Sequence, residues 1–176
     1  YGERSALRII LCHYYLQDRA ALQKDLAANK NLNVPVEITR WLGRKSFEEG
    51  DYDAAEQGLL PVVKSGKGVE PEVLIELAEA QIRLGKNREA AEHVEKYLET
   101  ARDPRARARG LLASGAVALS GRDFAGATKL VEEAIKLQPE GRLNAEGRLM
   151  TGEISMASGD YQGAARAFMS VAVLYD

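Results

Sequence analysis

Residues 111–139, LLASGAVALSGRDFAGATKLVEEAIKLQP, read as two short helices hinged at Ser120-Gly121. Before the hinge, Leu111, Ala118 and Leu119 recur at helical spacing. After it, Phe124, Ala127, Leu130, Val131, Ala134 and Ile135 form the i, i+3, i+4, i+7 stripe of one buried face. Small residues (Gly115, Ala118, Ala127, Ala134) fall where the helices must approach closely, and Pro139 follows where a residue without an N–H can stop the second helix. The stretch is therefore a pair of helices sharing one seam.

The same pattern recurs on both sides of it. Residues 36–49, the turn Gly50-Asp51-Tyr52-Asp53-Ala54-Ala55 and a helix to about Lys64 make one unit, with Pro61 expected to kink or end its second helix. Residues 72–84, Gly85-Lys86-Asn87 and 88–100 make another, and Asp103-Pro104 opens the next as a cap and first-turn proline. The last runs from Leu143 through Gly159-Asp160-Tyr161. Ala55, Ala90, Ala127 and Ala164 are spaced by 35, 37 and 37 residues, so the repeat length sits in the range of helical-hairpin arrays. At the start, Leu7, Ile9, Ile10, Leu11, Tyr14 and Tyr15 are too dense for a narrow stripe, which implies cover on more than one side. Asp18 can cap a second helix through Leu22 and Leu26. No register puts small residues at both close-approach places here, so residues 1–34 are read as a degenerate repeat or a cap.

These residues resemble the tetratricopeptide repeat family. Leu111, Ser114-Gly115, Ala118, Phe124, Ala127, Val131, Ala134 and Pro139 fall at its diagnostic places, with Leu for the first Trp and Ser for the Leu before Gly. Leu42-Gly43, Gly50, Tyr52 and Ala55 fit in order, as do Leu77-Ala78, Gly85 and Ala90, and Gly152, Ala164 and Phe168; Trp41 lies beside the seam position. The resemblance implies an all-α, right-handed superhelical array of about five antiparallel hairpins. It is read as one domain, residues 1–176, with repeats at 36–68, 71–102, 104–139 and 143–176. The implied role is a non-catalytic scaffold that holds a protein or peptide in a concave groove. The alternatives are a structural or oligomerisation segment of a larger multi-repeat protein, or an accessory domain of an enzyme. The last unit is similar to repeats of bacterial cell-envelope proteins, which implies periplasm or envelope ahead of cytoplasm.

Composition limits the partners. With 24 basic and 26 acidic residues the formal charge is −2, which gives no long-range field for nucleic acid or an anionic membrane. No run of about 18 apolar residues is present, so no membrane insertion is expected. One cysteine, Cys12, excludes an internal disulfide framework, and with two histidines it makes no transition-metal site. Cys12 and His13 point about 100° apart on a helix and cannot form a nucleophile and base pair. His93, between Glu92 and Glu95, reads as solvated surface. Ser65-Gly66-Lys67-Gly68 lacks the upstream glycine of a phosphate loop. Asp51 and Asp53 lack the glycine and closing glutamate of a calcium loop and read as helix caps. Arg102, Arg105, Arg107 and Arg109 have no interleaved aromatics for base stacking. No cofactor, metal or catalytic residue is expected.

By the family's register, the groove is lined by Arg40, Arg44 and Phe47 with Glu37; by Glu72, Ile75, Glu79, Ile82 and Arg83; by Arg109, Leu112 and Leu119 with Ala116; and by Leu149, Glu153 and Met156 with Glu146. Arg40, Arg44, Glu79, Arg83 and Leu112 are expected in solvent, and Ala90, Ala127 and Ala164 in the seams. Arg40 and Arg44 could begin the clamp by which some members grip a terminal carboxylate, but Glu76 and Glu79 would meet it with like charge. In the last helix Phe168, Met169, Val171, Ala172, Val173, Leu174 and Tyr175 leave almost no polar face. One seam uses only about a third to a half of a helix surface. An oligomer interface at Phe168, Met169, Val173, Leu174 and Tyr175, or cover by a further segment, is therefore expected.

Overall fold

One backbone turn is repeated five times. The computed structural model describes residues 2–66 and 69–175, with side chains through Val173. Among them are ten helices and no strand: α1 (Gly2–Tyr15), α2 (Arg19–Ala28), α3 (Val36–Glu48), α4 (Tyr52–Ser65), α5 (Pro71–Arg83), α6 (Asn87–Thr100), α7 (Pro104–Ser120), α8 (Phe124–Leu137), α9 (Arg142–Ser158) and α10 (Tyr161–Tyr175). Each odd-numbered helix ends in a left-handed residue: Gln17, Gly50, Gly85, Arg122 or Gly159. The N–H of the residue after it, Asp18, Asp51, Lys86, Asp123 or Asp160, donates back to the carbonyl five residues earlier at 2.8 to 3.0 Å. That is the six-to-one bond of a Schellman motif, and it satisfies a carbonyl the helix end would otherwise leave open. The same residue starts the next helix, its carbonyl accepting from Leu22, Ala55, Ala90, Ala127 or Ala164 at 2.9 to 3.0 Å. At four of the five turns an Asp side chain also caps the new helix, accepting from Ala21, Ala54, Gly126 or Gly163.

The structure refines two readings here. The left-handed residue of the central unit is Arg122 (φ 61), whereas Gly121 is ordinary right-handed backbone (φ −78). The Asp cap fixes where the turn falls, and Arg122 carries the strain that a glycine would relieve. Pro61 does not end α4, which continues to Ser65. The ring deletes one N–H on an exposed flank, where water can serve the freed carbonyl. Gly66 then closes α4 in the left-handed region; Lys67 and Gly68, the rest of the phosphate-loop-like stretch, lie outside the described residues.

The chain divides into two compact units, Tyr1–Ala80 and Gln81–Asp176. In the first, Ile10, Leu22, Ile38 and Leu42 form one core with Trp41 and Tyr14 against it, and Leu59, Val62, Val73 and Leu77 form another. Gly43 and Gly58 bring α3 and α4 into backbone contact: a Cβ on Gly58 would lie 2.6 Å from the Gly43 Cα. In the second unit Ala108, Leu111, Leu112, Ala127, Val131, Ala134 and Ile154 form the core. Ala90, Ala127 and Ala164 are all buried, at 0%, 0% and 3% exposure.

The turns supply a register for the first pair that its composition concealed. Counting from the cap residue, the small place eight residues before it holds Gly43, Ala78, Gly115 and Gly152, and in the first pair Ile10. The alanine place four residues after it holds Leu22. Both are fully buried. The first pair thus has the common turn with large side chains in its seam.

Candidate functional site

The candidate groove residues do not share one environment. In the first unit Arg40 and Arg44, from α3, are half-buried and tied down. Arg40 Nη1 donates to Glu70 Oε1 at 2.7 Å, and the Arg44 fork faces both Glu76 carboxylate oxygens at 3.1 Å, with the Glu76 side chain only 11% exposed. The pair neutralises both arginines, so neither is set up as a carboxylate clamp. Phe47 is half-buried with its ring 6.0 Å from that of Tyr52. Glu72 is exposed and Glu79 half-buried, but Ile75 is fully buried. Residues 73–78 are buried without a break, because α5 is covered on more than one side; Ile75 is core and lines no open surface.

In the second unit Arg83 is exposed, while Ile82, Arg109, Ala116 and Leu119 are half-buried. Leu112, expected in solvent, is 5% exposed. Its methyl group would lie 3.5 Å from a Cβ at Gly147, so α9 covers it. Leu149 occupies the corresponding place on α9 and is 41% exposed; Met156, two turns along the same face, is 53% exposed. Glu146, paired with Arg142 at 2.7 Å, and Glu153, exposed, alternate with them along the helix. The stretch 146, 149, 153, 156 therefore forms a stripe in which two carboxylates alternate with two accessible apolar side chains.

Histidines follow a different rule from the one expected. His93 is 8% exposed and its Nδ1 lies 2.8 Å from Gln81 Oε1. It belongs to the buried i, i+3, i+4, i+7 stripe Ala90, His93, Val94, Tyr97 of α6, which outweighs its charged sequence neighbours. His13 Nδ1 lies 2.6 Å from Asp25 Oδ2. Both pairs join the residue five before the cap to the residue seven after it, so they are the same structural bridge in two hairpins. Among the described residues no three His, Cys, Asp or Glu side chains converge on a point that could hold a metal ion. Nor is any helix among them long and apolar enough to cross a membrane.

Sequence reasoning missed Arg19. From the first turn of α2 its Nε donates to the buried Ser46 Oγ at 3.3 Å, and its two terminal nitrogens reach Glu49 and Asp51 at the α3–α4 turn. It stands where Tyr52, Phe124 and Tyr161 stand in other pairs, and that substitution of charge for aromatic ring was the available signal. Tyr14, one of the dense apolar residues of α1, meets Trp41 edge-on with ring centroids 5.7 Å apart, a pairing the sequence did not reveal. In the last helix Met169 (66%) and Val173 (80%) are exposed, Phe168 and Val171 are half-buried, and the side chains of Leu174 and Tyr175 lie outside the described residues.

Solved structures share this architecture. MamA residues 41-end from Desulfovibrio magneticus RS-1 superposes with a TM-score of 0.68 at 16% identity, covering 98% of this chain and 94% of that one. TTC0263, a thermophilic TPR protein of Thermus thermophilus, gives 0.64 at 19% identity over 98% and 91%. A tetratricopeptide repeat protein from Parabacteroides merdae ATCC 43184 gives 0.65 at 16% identity, over 96% of this chain and 65% of its own. These identities speak to the fold. No curated protein matches the sequence. Two tetratricopeptide repeat models match residues 46–115 and 112–175, and with the repeated turn and seam they place the chain in the tetratricopeptide repeat family.

Proposed function

We propose that the chain is a non-catalytic scaffold that holds a protein or peptide segment on the first-helix faces of its hairpins. The family is built for such binding, and the observation that carries the reading here is the α9 stripe. Leu149 and Met156 remain accessible beside an exposed Glu153, a combination that gives a peptide both apolar area and a charge to orient it. The segment that fits is apolar with a Lys or Arg one turn away. Arg40 and Arg44, neutralised by Glu70 and Glu76, contribute shape and neutral hydrogen-bonding surface in the first unit. Glu72, Arg83 and Leu119 are further candidate contacts.

The test is selection of displayed random peptides on the immobilised protein, followed by fluorescence titration of a selected peptide. Glu153→Lys and Met156→Asp should each weaken it about tenfold or more, equivalent to about 1.4 kcal/mol. Selected peptides that bind both variants as tightly as the parent would place the binding surface elsewhere.

A further inference from the structure

Between the first helices of the first unit, three aromatic rings meet in a row. Tyr14 and Tyr15 close α1, with ring centroids 5.5 Å apart and planes at 57°. Tyr14 in turn meets Trp41 of α3 at 90°. Tyr14 and Trp41 are half-buried and fix the row, whereas Tyr15 is 78% exposed. That exposure belongs to the repeat register. The place three residues before the cap holds Tyr15, Glu48, Arg83, Ser120 and Ala157, all exposed, and α3, α7 and α9 keep it in solvent although a preceding helix packs against each of them. An aromatic ring at this place is therefore not explained by packing within the array. Among the described residues the hydroxyls of Tyr14 and Tyr15 and the Trp41 indole N–H have no hydrogen-bond partner. Glu48 lies two turns along α3 from Trp41, on the same face, and its ion pair with Lys45 is open to solvent.

We propose that this α1–α3 face binds a proline-rich protein segment in the polyproline II conformation, with a Lys or Arg beside the prolines. A polyproline II helix makes no internal hydrogen bonds, so its carbonyls are free to accept from the two hydroxyls and the indole N–H. Proline rings pack against aromatic rings, and their fixed φ means that little conformational entropy is lost on binding. The other two peptide conformations match the face less well. Helices offer no backbone edge to a β-strand, and the carbonyls of an α-helical ligand are already bonded within it, which leaves the ring donors unanswered. The Glu48 carboxylate supplies the charge that a flanking Lys or Arg meets, since an exposed pair with Lys45 holds it only weakly. The proposal deepens the scaffold reading and rests on it, but it concerns the first unit and not the α9 stripe.

Trp41 is the chain's one tryptophan, so its emission reports on the site directly. Titration with a synthetic oligoproline peptide ending in arginine should give a saturable change in that emission, and the same peptide with alanine for every proline should not. Tyr15→Ala, at an exposed site, should weaken binding about tenfold or more. Tyr15→Phe, which keeps the ring and loses the donor, should weaken it about threefold. Glu48→Lys should weaken the arginine-bearing peptide about threefold and leave an arginine-free oligoproline unchanged. Glu153→Lys and Met156→Asp should leave all of these titrations as they are. The absence of a saturable change, equal binding of the proline and alanine peptides, or a Tyr15→Ala variant that binds as the parent does would overturn the proposal. Saturation by a soluble glucan in place of the proline peptide would overturn it in favour of a carbohydrate. Displayed peptides that depend on Glu153 and Met156, found alongside any of these failures, would leave the scaffold reading standing without this site.

Discussion

Within the first unit, α1–α2 and α3–α4 end and restart their helices through the same bonds but fill the space between them oppositely. Asp18 and Asp51 both cap, both donate to the carbonyl five residues earlier, and both follow a left-handed residue. Yet the seam place occupied by Gly43 in the second pair is occupied by Ile10 in the first, and Leu22 stands where the second has Ala55. Turn and seam are thus separable. The turn depends on backbone hydrogen bonds and one short acidic side chain, whereas the seam depends on matched volumes, which can be met by small residues at short separation or large ones at greater separation.

The largest effect should come from the short-separation seam. Gly58→Leu would drive a side chain into the α3 backbone at Gly43 and Thr39, and should cost about 3 kcal/mol in chemical denaturation. A smaller loss would mean that α3 and α4 can part without penalty. The link between the two pairs comes next: Arg19→Ala removes the donor to Ser46, Glu49 and Asp51 and should cost about 1.5 kcal/mol, with amide exchange in α1 and α2 accelerating before that in α3 and α4. Uniform acceleration would show that Arg19 does not fasten one pair to the other. Smallest, and opposite in sign, are the turns. Gln17→Gly and Arg122→Gly should each raise stability by about 0.5–1 kcal/mol by relieving left-handed strain, and Gly50→Ala should lower it by a similar amount, read from melting temperatures.

Much of the architecture was legible in the residues. The i, i+3, i+4, i+7 stripes, the Asp caps and the alanines spaced by 35 and 37 residues place the turns of the last four pairs to within two positions. The first pair was obscured because the small-residue signature reports the seam, and its seam is large. Asp18 four residues before Leu22, as Asp51 is before Ala55, was the signal of the shared turn. The site was less legible. Helical register assigns Ile75 and Leu112 to the groove face, but their burial depends on which neighbouring helix lies over them, as α9 does over Leu112, and that is a property of tertiary packing. Likewise, register places Arg40 and Arg44 but does not reveal that Glu70 and Glu76, 30 and 32 residues away, neutralise them.

The size inversion is tested most directly by putting one residue, alanine, at the same place in both pairs and measuring urea denaturation of Ile10→Ala and Gly43→Ala. Alanine is what α5 carries there, as Ala78. Both variants should lose stability for opposite reasons: Ile10→Ala by about 3 kcal/mol from an emptied seam, and Gly43→Ala by about 1–2 kcal/mol because its Cβ would lie 2.8 Å from the Leu59 side chain. A gain of about 1 kcal/mol for Gly43→Ala, the helix-propensity benefit at an open site, or a loss below about 0.5 kcal/mol for Ile10→Ala, as at an unpacked surface position, would contradict the account.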